Sequence, residues 1–140
     1  DEGPEDFNPK SGATVVGARF PLVAYNVNLR TEDLSVAKEI AKKARTKDGG
    51  LPHVRAMGVA LKEKAMVQVS MNLTNYRVTN IPKVFELIEG EALKKGVEVA
   101  ESEIVGLIPL GVLEEIAQHY LKYPDFSTHQ VIEQRILEFE

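Results

Sequence analysis

The sequence has no cysteine, which removes a disulfide framework and any thiolate metal site and leans the chain toward a reducing compartment. It has no basic excess either. Its 17 Lys and Arg stand against 21 Asp and Glu, a net charge of −4, so no basic face is on offer to nucleic acid. No apolar stretch approaches the roughly 20 residues of a membrane span, and the first residues lack the basic-then-apolar order of a secretion signal. Together these absences predict a soluble, cytoplasmic protein with neither nucleic acid nor membrane as a partner. At 140 residues the chain is long enough to bury a sizeable core and short enough to be one domain.

Catalytic signatures are also missing. His53, His119 and His129 are scattered without HxxxH spacing, so no metal site is expected. No Gly-rich loop follows a strand, and no Ser-His-Asp set can be nominated. Glu101 and Glu103, alternating with Ser102, have a spacing that suits acid/base chemistry, but charge that protects an edge strand explains them as well. Lys38, Lys42, Lys43 and Arg45 read as the solvated side of a helix. No catalytic residue is assigned.

What the chain does contain is a clear order of elements. The opening DEGPEDFNPKSG is rich in Gly, Pro and acidic residues, the composition of a linker. The run Phe20 to Leu29 reads as a strand, and Thr31 is placed to cap a helix that buries Leu34, Ala37, Ala41 and Ala44 and stops at Asp48-Gly49-Gly50. Val54 to Leu61 and Ala65 to Leu73 are strand-like runs separated by Lys62-Glu63-Lys64, the length of a hairpin connection. Asn80 and Pro82 open a second helix that Gly96 ends, Val97 to Leu107 gives a fourth strand, and Pro109 opens a third helix with Leu110, Leu113, Ile116, Ala117 and Tyr120 on one face. A last short helix is expected from about Ser127. This is the α+β, ferredoxin-like βαββαβ order, with C-terminal helices added. Right-handed crossovers then give strand order 4-1-3-2, an antiparallel sheet with helices on one face and the other uncovered.

That arrangement puts the first and third strands side by side. Asn26 and Asn28 then share the uncovered face with Gln68, Ser70 and Asn72, while the alternating Val23, Tyr25, Val27 and Leu29 turn inward with Val67, Val69, Met71 and Leu73. Ala56, Gly58 and Ala60 form a row of small residues that leaves room for something to approach the backbone. A one-sided sheet has a solvated face as a matter of course, but such faces usually carry Lys, Glu, Thr and Arg. Short uncharged hydrogen-bonding groups suit a surface that a ligand or partner closes off from water.

Several motifs, in order, resemble a known family. GATVVGAR (12–19), LVAYNVNL (22–29), DGGLPHVRAMGV (48–59), VQVSMNLTNYRVT (67–79) and SEIVGLIPLGVL (102–113) together are similar to glutamate formiminotransferase, in its carboxy-terminal subdomain. The resemblance covers nearly the whole chain. It implies a transferase that moves a formimino group between N-formimino-L-glutamate and tetrahydrofolate in histidine degradation, part of one-carbon metabolism. In that family two ferredoxin-like halves face each other across the folate, sometimes with a cyclodeaminase fused behind. The resemblance implies residues 1–12 as a linker from a missing N-terminal subdomain, 13–140 as the C-terminal subdomain, and a chain inactive alone because the catalytic histidine belongs to the other half. It also implies a folate-binding wall of Asn26, Asn28, Gly58, Gln68, Ser70 and Asn72, with Pro4, Phe7, Pro9, Gly12 and Ala13 on the segment before it. The expected partners are the N-terminal subdomain, N-formiminoglutamate, folate (polyglutamylated folate included) and a second copy of the chain. The competing expectation is a freestanding ferredoxin-like ligand-binding or regulatory module that pairs through its open sheet.

Overall fold

The structure, a computed structural model, describes residues 9, 10, 12, 14 and 16–138. Its strands are β1 (Val23–Leu29), β2 (Val54–Leu61), β3 (Met66–Leu73) and β4 (Val99–Val105), and its helices α1 (Leu34–Ala44), α2 (Ile81–Leu93), α3 (Leu110–Tyr120) and α4 (Ile132–Leu137). The sheet order is β2-β3-β1-β4 with every neighbour antiparallel, the order expected from the crossovers.

Local chemistry explains most element ends. Asp33, rather than Thr31, caps α1: its Oδ1 accepts from the Ser35 N–H at 2.8 Å, while Thr31 Oγ1 accepts from Asp33 N one step earlier. Asn80 caps α2 by accepting from Lys83 N at 3.1 Å, and Pro82 sits in the first turn where its missing N–H costs nothing. Gly96, at φ 70°, ends the turn that follows α2. β1 begins at Val23, three residues later than the apolar run suggested, because Phe20-Pro21 lies outside the ladder. The expected terminal helix is instead a single turn, Thr128–Gln130 with a Ser127 capping box, followed by the short α4.

The core lies between the sheet and α1, α2 and the start of α3. Val23, Val27, Leu29, Val67, Val69 and Leu73 are fully buried on the sheet side, against Ala37, Ile40, Ala44, Val84, Ile88 and Ala92 on the helices. Each buried Val, Leu or Ile contributes about 1.5–3 kcal/mol relative to exposure. Glu91 ties the two helices by receiving Lys43 from α1 and Lys94 from its own helix, and these lysines hold its carboxyl down at about 2. The expected buried stripe on α3 is only partly realised: Val112 and Ile116 meet the core, but Leu110, Leu113 and Tyr120 remain exposed.

One sequence expectation is reversed. Gly58 pairs with Val69, so it belongs to the helix-covered face and not to the open one. What approaches its backbone is α1: a Cβ on Gly58 would stand 2.6 Å from Lys38 N and 2.8 Å from Ala37 C. The glycine therefore permits close helix-on-sheet packing, and the structure gives it no place on a ligand wall.

Candidate functional site

Strand register decides which side chains share the open face. Asn26 stands opposite Ser70 on β3 and Glu103 on β4, and Asn28 opposite Gln68 and Glu101. Paired residues point to the same side, so the amides expected to face together do so, and two carboxylates join them. On β2 the same parity brings Arg55 opposite Asn72, Met57 opposite Ser70 and Val59 opposite Gln68.

These groups form one hydrogen-bonded network across three strands. Asn26 Nδ2 donates to Glu103 Oε1 at 3.0 Å, and Asn28 Nδ2 to Glu101 Oε1 at 2.9 Å. Gln68 Nε2 donates both to Asn28 Oδ1 at 2.8 Å and to Glu103 Oε1 at 2.9 Å. Lys64, from the β2–β3 connection, donates to Glu101 Oε1 at 2.7 Å, and the Met71 backbone N–H donates to Asn26 Oδ1. The amides thus act as rigid spacers that fix two carboxylates at the β4 edge. Lys64, then Asn28, by hydrogen bonding to the charged form, hold the Glu101 carboxyl below its usual range; Glu101 in turn raises the Lys64 ammonium.

Burial separates the members of the face. Asn28 is 2% exposed, Gln68 7% and Asn26 8%, although no helix among the described residues covers them. Ser70 is half-buried and Asn72 is exposed, and neither makes a side-chain hydrogen bond among the described residues. Asn72 and Ser70 are therefore open to another molecule, while Asn26, Asn28 and Gln68 present it with the carboxylates they position. Of the upstream candidates, Pro9 and Gly12 are exposed; Pro4, Phe7 and Ala13 lie outside the described residues.

Sequence reasoning left Glu101, Glu103, Lys64 and Arg55 off this face. The period-two parity that placed Asn26 and Asn28 would have found the first two once β4 was set beside β1 in register; Lys64 comes from a turn and carries no such signal. The other constellations resolve into ordinary pairs. His119 Nε2 lies 2.6 Å from Glu86 Oε1 and His129 Nδ1 lies 2.7 Å from Glu138 Oε1, while Lys43 and Arg45 are engaged by Glu91 and Asp48. Among the described residues no group of three or more His, Asp or Glu is arranged to hold a metal ion, and no helix is long and apolar enough to cross a membrane.

Residues 24–138 match the family described as the formiminotransferase domain. A Thermoplasma acidophilum protein named glutamate formimidoyltransferase is 47% identical over 135 residues, which is 94% of this chain and 45% of that protein. A Streptococcus pyogenes serotype M1 protein of the same name is 42% identical over 98% of this chain and 46% of its own length. The pig protein named formimidoyltransferase-cyclodeaminase is 42% identical over 86% of this chain and 23% of its own length. The chain thus spans less than half the length of these relatives. It belongs to the formiminotransferase domain family.

Proposed function

We propose that this chain is one half of a glutamate formiminotransferase, and that its open sheet face is the wall along which N-formimino-L-glutamate and tetrahydrofolate meet. In this reading residues 13–140 form the C-terminal subdomain, residues 1–12 connect it to the other half of the polypeptide, and the assembled enzyme works in histidine degradation in the cytoplasm. The observation that carries it is the buried amide network: Asn26, Asn28 and Gln68 are withdrawn from water on a face that no helix among the described residues covers, and they aim Glu101 and Glu103 outward. A formimino group on nitrogen is a basic amidine, cationic when protonated, and its paired N–H bonds complement a carboxylate. Fixed carboxylates on the wall would hold that group with little reorganisation, while exposed Asn72 and half-buried Ser70 supply neutral contacts to the folate. Pro9 and Gly12, with Pro4, Phe7 and Ala13, are proposed to border the folate from the preceding segment. No residue of this chain is assigned proton transfer.

The length of the relatives supports a second half over a freestanding module. The test is a transferase assay on the complete polypeptide, following loss of N-formiminoglutamate in the presence of tetrahydrofolate. Asn72→Leu should lower kcat/KM at least tenfold with an unchanged unfolding midpoint, because the Asn72 side chain has no hydrogen-bond partner among the described residues to lose. Full activity in that variant would remove Asn72 from the wall.

A further inference from the structure

At the corner of the open face diagonally away from Glu101, two cavities meet around one loop. One, of about 700 Å³, runs between the turn at Thr46–Asp48 and the start of β2; the other, of about 600 Å³, lies between Phe20 and Asn75. His53, Arg55 and Thr74 line both. Among the described residues neither cavity has an Asp or Glu in its wall, while Arg19, Lys47 and Arg55 stand there without an ion pair. This contrasts with the β4 edge, where each open-face carboxylate has hydrogen-bonded neighbours.

The loop is held firmly. The His53 carbonyl accepts both from Thr74 N–H at 2.9 Å and from Thr74 Oγ1 at 3.1 Å. His53 itself is left-handed at φ 60°, a conformation disfavoured for any residue with a Cβ and one that persists where the surroundings impose it. The Phe20 ring forms an apolar side, with the Arg77 guanidinium 5.9 Å from its centre. The corner therefore offers a guanidinium with a free fork, further cations and an apolar wall, within the size range of a small-ligand pocket of roughly 300–1,000 Å³.

We propose that this corner binds a glutamyl group, with Arg55 and Arg19 taking its carboxylates. The inference rests on the reading of the open face as the substrate wall and locates the anionic end of a substrate on it. Arg55 lies opposite Asn72, and the carboxylates of β4 are three strand spacings from β2, roughly 14 Å. A ligand anchored at Arg55 would thus run across the amides toward Glu101 and Glu103. Both an N-substituted glutamate and the p-aminobenzoylglutamate arm of a folate carry this chemistry.

Calorimetric titration of the complete polypeptide with N-acetylglutamate and, separately, with p-aminobenzoylglutamate tests it. Arg55→Gln should weaken binding of the better probe at least tenfold, Arg55→Lys should restore part of that loss, and Lys42→Gln should stay within twofold. Tighter binding of p-aminobenzoylglutamate assigns the corner to the folate arm; tighter binding of N-acetylglutamate assigns it to the amino-acid substrate. Failure of the wild type to bind either probe, or Arg55→Gln binding within twofold of wild type, overturns the proposal. Neither titration requires transfer chemistry. A protein that bound through Arg55 but transferred no formimino group would defeat the proposed function alone, and an active transferase indifferent to Arg55 would defeat this inference alone.

Discussion

The two faces of β1 are buried almost equally, by opposite means. Val23, Val27 and Leu29 are fully buried beneath helices, whereas Asn28 at 2% and Asn26 at 8% are buried with no helix of the described residues above them. The first is burial by apolar packing, non-directional and driven by removal of surface from water. The second is burial by hydrogen-bonded neighbours from β3, β4 and a turn, and it fixes directions as well as positions. A face meant only for solvent has no need of such fixed directions, and this difference makes the open side a candidate wall.

The comparison can be broken from either side. The largest effect is expected on the helix side: Leu29→Ala should cost about 2–5 kcal/mol in urea unfolding, from lost burial and the cavity left behind. Gly58→Ala, also on that side, should cost about 1–3 kcal/mol, since its new Cβ meets the backbone of α1 rather than a yielding side chain. If Gly58→Ala were neutral in stability but impaired transfer, the placement of Gly58 under α1 would be wrong. On the open side, Asn28→Ala should cost about 1–2 kcal/mol, because Gln68 and Glu101 each keep another partner, Glu103 and Lys64. In the complete polypeptide its effect on the proposed transferase activity should exceed what that destabilisation explains.

The smallest effect is expected from the outermost ion pair, and pH isolates it. The Glu101 carboxyl is lowered in the folded chain, so its contribution is fully present above its ordinary value of 4.5 and is lost as pH falls through the lowered folded value. The stability difference between wild type and Glu101→Gln should therefore shrink below pH 4.5, and added salt at neutral pH should shrink it too. A difference that grew on acidification would reverse the assigned role of Lys64.

Much of this was legible in the sequence because two periodicities agreed. Period two separated Asn26 and Asn28 from Val27 and Leu29, and the βαββαβ order set β1 beside β3, so the shared amide face followed without coordinates. Gly58 was misplaced because a row of small residues signals close approach but not from which side; only the β2–β3 register decides that. The role of Glu101 and Glu103 stayed open because an edge strand wears charge for protection too. Arg55 and His53 were hidden for another reason: their corner is assembled from Arg19, the β2 start and the turn after β3, segments far apart in the chain. The exposed apolar side of α3 shows the limit of periodicity, which marks a face as apolar without saying what covers it.

The central claim is that the open face, and not the helix side, meets substrate. Side-chain amide NMR of Asn26, Asn28, Gln68 and Asn72 in the complete polypeptide, with and without saturating tetrahydrofolate, tests it most directly. The account predicts shifts at all four amides, with those of Gln118 and Gln134 on α3 and α4 unmoved. Binding that shifted none of the four would contradict it.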